Sequence, residues 1–191
     1  MLKPVNILLV GVGGQGTILA TRILAKAAQD AGYDIKVSEI KGMSQRGGSV
    51  VTQVRLGQRV YSPLIAEGNA DVILAFEKME ALRWLPYLKD GGSIIVNDQA
   101  IAPVPVLSGA AVYPEDCLER VMKLAPNTIV VDALNVALQC GNPKVINVVL
   151  VGLLAKKLPI DKELWLNALK TRVPEKFMDV NMKAFAEGYN L

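Results

Sequence analysis

Histidine is absent from this chain of 191 residues, and cysteine occurs twice, at Cys117 and Cys140. Without an imidazole, Ser–His or Cys–His nucleophilic catalysis and histidine metal sites are excluded within this polypeptide. Two distant cysteines with no C-x-x-C pairing cannot ligate a 4Fe–4S cluster or a zinc ribbon, so no metal is expected on this chain. They read as reduced, buried thiols. Aromatic residues make up only 5% of the chain, so the core is aliphatic and base-stacking platforms are scarce. The net charge of +3 is spread rather than clustered, which argues against a nucleic-acid partner. The apolar run over 145–155 is broken by Asn147 and is too short to span a bilayer. Lys3 is followed at once by a strand-like run, with no small-residue cleavage site. The expectation is a cytoplasmic protein with no membrane contact.

What is present is an ordinary globular balance, 51% hydrophobic and 20% charged. The length fits one domain over 1–191 with a helical C-terminal segment from about 159. Its organising stretch is Gly11-Val12-Gly13-Gly14-Gln15-Gly16. An apolar run over 5–10 precedes it, and a helical pattern with Ile18, Leu19, Arg22, Ile23, Ala25 and Lys26 follows. Strand, glycine turn and helix in that order form the phosphate-binding start of a dinucleotide-type fold. Gly11 permits the turn, Gly13 lets an anion approach the backbone, and Gly16 lets the helix pack close to the strand. The helix start at Thr17 offers unpaired N–H groups and a partial positive charge. Positions 11–21 contain no Lys or Arg, which excludes a Walker-type loop. Glu39, at the end of the next candidate strand, stands where a ribose-binding acid would be needed. A turn that only packs a helix on a sheet remains the bland reading of the same glycines.

Further along, the residues read as alternating strands and helices. Residues 50–56 and 59–61 read as a β-hairpin about Gly57-Gln58, so the sheet should be mixed. Residues 71–76, 93–96 and 128–132 read as buried strands, with a turn over 89–92. Helices are expected over 77–85, from 114, over 161–172 and over 177–189, with 101–112 irregular. Residues 145–158 are rich in β-branched side chains, but their length and Lys156-Lys157 favour a helix behind the Asn142-Pro143 cap pair.

A polar, glycine-rich loop follows Glu39, with Lys41-Gly42-Met43-Ser44-Gln45-Arg46-Gly47-Gly48-Ser49-Val50 at its heart. Together with the first glycine motif and Tyr61-Ser62-Pro63, it resembles the gamma-type subunits of 2-oxoacid:ferredoxin oxidoreductases. The Met-Ser-Gln-Arg-Gly-Gly form is most similar to the small (beta) subunits of the indolepyruvate enzymes. Ala70-Asp71, Ala75-Phe76-Glu77 and Asn142-Pro143 with Asn147 and Gly152 also fit, so the resemblance covers nearly the whole chain. It implies a three-layer α/β/α Rossmann-like fold with a mixed sheet, like domain III of pyruvate:ferredoxin oxidoreductase. It implies a subunit inactive alone, in an enzyme that oxidatively decarboxylates an aryl 2-oxoacid to the acyl-CoA. Thiamine diphosphate, Mg and 4Fe–4S clusters would sit on a partner chain, and ferredoxin would take the electrons. The present chain would bind no cofactor tightly and at most contact coenzyme A.

The candidate site residues are therefore Arg46, as a clamp facing a shared cleft, with Gly11, Gly13, Gly14, Gln15, Gly16, Thr17, Ser44, Gln45, Gly47 and Gly48 as ligand-contacting backbone and side chains. An arginine between glycines can clamp a carboxylate or phosphate with two hydrogen bonds. It can equally cap a helix or stay in solvent. A free-standing NAD(P)-binding oxidoreductase and a non-catalytic interaction module are the competing readings.

Overall fold

The computed structural model describes residues 2–41 and 48–191. The chain runs β1 (Val5–Val12), α1 (Thr17–Asp30), β2 (Asp34–Lys41), β3 (Ser49–Gly57) and β4 (Ala70–Ala75). It continues α2 (Lys78–Trp84), β5 (Leu88–Asn97), α3 (Val104–Leu107), α4 (Cys117–Leu124), β6 (Thr128–Val131) and α5 (Ala133–Gln139). It ends α6 (Ile146–Lys157), α7 (Lys162–Arg172) and α8 (Met178–Asn190). Among the described residues six strands form one sheet in the order β2-β3-β1-β4-β5-β6. β1, β4, β5 and β6 are parallel, while β3 runs antiparallel to both β1 and β2.

The strand period of two makes this a three-layer α/β/α structure. Ile7 and Leu9 of β1, with Val72 and Leu74 of β4, face α1, α5, α6, α7 and α8. Leu8, Val10, Ile73 and Ala75 turn the other way, toward α2 and α4. Both faces of the inner strands are covered, which is why they read as near-continuous apolar runs. α6 is the extreme case, with every residue from Asn147 to Ala155 buried. A helix apolar all round has no stripe to betray its period, but it fits between a sheet and an outer helix, here α8.

The structure moves the expected hairpin. Arg59, Val60 and Tyr61 form no strand, and β3 pairs instead with β2 on one side and β1 on the other. Val51, Thr52, Gln53 and Val54 are buried, so β3 has no solvated face. The return after Gly57 is held by a side chain, the Val60 N–H donating to Asp34 Oδ2 at 2.7 Å. The sheet is mixed because β3 runs antiparallel to both β2 and β1. Its exposed edge is therefore β2 and not the 50–61 segment. Glu39 also loses its assigned place, because β3 separates β2 from β1. The expected turn at 89–92 lies within β5, as an irregularity between the pairs Ala70–Leu88 and Val72–Ser93. α5 is a helix that the sequence pattern does not mark, and the irregular 101–112 stretch contains the single-turn α3.

Candidate functional site

The carboxyl ends of the parallel strands β1, β4 and β5 lie together, and the helices that follow β1 and β4, α1 and α2, pack on opposite faces of the sheet. In open α/β sheets this divergence opens a crevice beyond the strand ends. Val12 leads into the glycine turn. Gly14 and Gly16 have φ of +103° and +79°, a region that a side chain makes costly. Gly11 lies within β1 and is required by a close approach: a Cβ there would sit 2.8 Å from Gln15 Oε1 and 2.9 Å from Phe76 Cβ. At Gly16 the close neighbour is Asn147 of α6, 2.6 Å from an added Cβ, rather than β1. Asn147 Nδ2 donates to the Gly16 carbonyl at 3.2 Å, so the starts of α1 and α6 meet at this turn.

The N–H groups of the turn are not all available. Gly13 donates to the Gly48 carbonyl at 2.9 Å, and Gln15 to the Val12 carbonyl at 3.3 Å. Among the described residues the N–H groups of Gly14, Gly16 and Thr17 have no partner. They face, or flank, a cleft of about 680 Å³ lined by Gly13, Gly14, Gln15 and Gly16 on one wall. The other wall carries Gln99, Ile101, Pro143, Lys144 and Ile146. Lys144 is exposed and has no ion-pair partner among the described residues. It follows Asn142-Pro143, where the Asn142 side chain accepts from the Lys144 N–H at 2.9 Å and starts a 3-10 turn leading into α6.

Gln15 lines the cleft with its amide held from behind. Its Oε1 accepts from the Val12 N–H at 2.8 Å, and its Nε2 donates to the Phe76 carbonyl at 2.8 Å and to Gln99 Oε1 at 3.2 Å. These bonds make Gln15 hold the site's shape. Two buried carboxylates at the start of α2 hold the surrounding segments. Glu77 accepts from the Glu80 N–H at 2.9 Å, from the Ile101 N–H at 3.1 Å and from the Tyr113 hydroxyl. Burial, then the Glu77 carboxylate, pushes the Tyr113 hydroxyl far up from its ordinary value. Glu80 accepts from Ser49 Oγ at 2.5 Å and from Arg83 Nε at 3.1 Å, fixing where β3 begins.

The structure thus brings together Gly11, Gly13, Gly14, Gln15, Gly16, Thr17 and Gly48. Ser44, Gln45, Arg46 and Gly47 lie outside the described residues. Gln99, Lys144, Asn147, Asn97, Glu77 and Glu80 are part of the arrangement and were not legible as such. Of these, Glu77 and Asn147 were singled out in the sequence, and only as fitting the family resemblance.

Residues 6–191 match the family described as pyruvate ferredoxin/flavodoxin oxidoreductase. The chain belongs to that family. Two archaeal relatives, the indolepyruvate oxidoreductase subunits IorB of Thermococcus kodakarensis and Pyrococcus horikoshii, are each 43% identical, over 98% of this chain and 95% of theirs. The crystal structure of a keto/oxoacid ferredoxin oxidoreductase gamma subunit from Geobacter sulfurreducens superposes with a TM-score of 0.73. It is 28% identical, covering 97% of this chain and 96% of that one. The mixed α/β fold is the fold of these family members. Cys117 and Cys140 are buried and unpaired, and among the described residues no three Cys, Asp or Glu groups converge as metal ligands. No helix among the described residues is long and apolar enough to cross a membrane.

Proposed function

We propose that this chain is the cofactor-free, gamma-type subunit of an oxidoreductase that oxidatively decarboxylates aryl 2-oxoacids such as indolepyruvate to the acyl-CoA. In this reading the partner subunit supplies thiamine diphosphate with its magnesium and the iron–sulfur clusters, and ferredoxin receives the electrons. The chain acts as one domain over 1–191, with α7 and α8 as its helical C-terminal segment. Its part is to complete the cleft beside the partner's cofactor and to hold an anionic group there, a phosphate of coenzyme A. Arg46 is the clamp delivered from the loop between β2 and β3.

The observation that carries this reading is the stitching of the two glycine motifs: the Gly13 N–H donates to the Gly48 carbonyl. The C-terminal end of that second loop arrives beside the glycine turn, where Val12 pairs with Ser49, and its N-terminal end lies one strand further out, where Lys41 pairs with Val50. Near-full-length identity to the indolepyruvate subunits supports the aryl substrate class. An NAD(P) dehydrogenase is disfavoured by β3, which removes Glu39 from the strand beside β1 where a ribose-binding acid has to stand.

The test is reconstitution. The chain purified alone under anaerobic conditions should be folded, show no visible absorption band and reduce no viologen dye with an aryl pyruvate and coenzyme A. Addition of the partner subunit should create that activity. Turnover by the chain alone, a visible cofactor band, or tight NADH binding with no response to coenzyme A would each overturn the assignment.

A further inference from the structure

The hydrogen bonds behind the cleft fix the direction of one side chain that faces into it. Two backbone N–H groups set the chain of amides, and each can only donate. The Val12 N–H points at Gln15, so the Gln15 atom 2.8 Å away is its oxygen. The Gln15 nitrogen must then face the Phe76 carbonyl and Gln99. At the other end the Ala133 N–H donates to Asn97, so the atom there, at 3.1 Å, is oxygen. The Asn97 nitrogen therefore faces the Phe76 carbonyl at 3.2 Å and Gln99 at 3.1 Å. Two amide nitrogens converge on a single Gln99 atom, and only the Gln99 oxygen satisfies both. The Gln99 Nε2 group, with two N–H bonds and no partner among the described residues, is left for the cleft that Gln99 lines.

We infer that Gln99 is a ligand-binding donor of this cleft, committed to an acceptor-only anionic group, a phosphate or a carboxylate. The inference rests on the reading of the cleft given above and adds a residue outside both glycine motifs. Among the described residues the rest of the lining agrees in sign: Lys144 is cationic, the Gly14 and Gly16 N–H groups have no partner, and no carboxylate takes part.

The informative variant is Gln99→Glu. A carboxylate keeps one oxygen toward Gln15 and Asn97, so the internal bonds survive, while the group facing the cleft changes from donor to anion. The complex of this chain with its partner subunit is titrated by calorimetry with coenzyme A and, separately, with an aryl pyruvate, and turnover is measured beside binding. Gln99→Glu should weaken one of these two ligands by about 10- to 100-fold, from loss of a hydrogen bond to a charged group. The loss should appear in KM more than in kcat, with the melting temperature of the chain unchanged. Weakened coenzyme A assigns the phosphate, and weakened aryl pyruvate assigns the carboxylate. Gln99→Met, neutral and of similar length, should give a smaller loss for the same ligand and serves if the glutamate variant melts early. Wild-type affinity for both ligands in either folded variant overturns the inference while leaving the reconstitution result standing. Absence of turnover with intact, Gln99-dependent binding would instead overturn the enzyme assignment and keep the inference. Absence of binding by the wild-type complex overturns both.

Discussion

Gly188→Ala tests the packing that holds the cleft's far wall. α8 crosses α6 through two glycines, and a Cβ on Gly188 would lie 2.0 Å from the Val149 carbonyl oxygen. Gly152 is the reciprocal case, with an added Cβ 2.4 Å from the Phe185 carbonyl oxygen. These are backbone atoms of helices, so no rotamer change relieves the clash, and the helices must separate by about 1 Å. A gap of that size forfeits a quarter to a half of the dispersion energy at each contact, for roughly 0.1–0.2 kcal/mol per atom pair. Phe185 and Ala184, both fully buried, would lose contacts together. Overpacking costs typically ~1–3 kcal/mol, and this site belongs at the upper end or beyond. Against it stands a gain of about 1 kcal/mol, because alanine favours a helix interior over glycine. The net expectation is a loss of about 2–3 kcal/mol, or ~5–10 °C in melting temperature for a chain of this size. Circular dichroism melts of Gly188→Ala and of exposed Glu187→Ala on the same helix supply the comparison. If Gly188→Ala melts at or above the wild-type temperature, helix propensity has won and the close crossing is not what fixes α8.

Arg46→Ala in the reconstituted enzyme should lower kcat/KM by roughly 10- to 100-fold, matching a charge-assisted hydrogen bond of ~1.5–3 kcal/mol; full activity removes Arg46 from the reaction. Burial pushes the Cys117 thiol up, with the Glu77 carboxylate adding to it, and burial pushes the Cys140 thiol up as well. Both should therefore stay protonated and resist a disulfide reagent at pH 8 in the folded chain and react after unfolding. Rapid labelling of either thiol in the native chain would show that the surrounding packing opens readily.

How far the sequence could be read depended on the range of the interactions involved. The glycine turn was legible because part of its demand is local, the positive φ at Gly14 and Gly16; the reason given for Gly11 was not, since it is Phe76, just after β4, that leaves no room for a side chain there. The inner strands were legible because burial on both faces leaves unbroken apolar runs. The β2–β3 pairing was not. Gly57-Gln58 offers a turn signal at short range, while the true partners of β3 are chosen by the register of β1 and β2 across the sheet. The segment after Gly57 satisfies its backbone with Asp34, a side-chain solution that leaves no periodic trace.

The far wall of the cleft failed for the same reason in stronger form. Asn147 reaches Gly16 across 131 residues of sequence, and Gln15 reaches Gln99 across 84. No local pattern distinguishes such amides from solvated ones, because their meaning comes from which donors surround them. Once those donors are placed, the chemistry of the cleft becomes narrow. Among the described residues that line it, Lys144 is the only one with an ionisable side chain. The lining can hold and orient an anion, yet it presents no carboxylate, thiol or imidazole to take a proton from carbon and no group to stabilise a carbanion. In the proposed function a second surface brings the reacting cofactor to such a cleft, and this lining supplies the anion-binding half of the site.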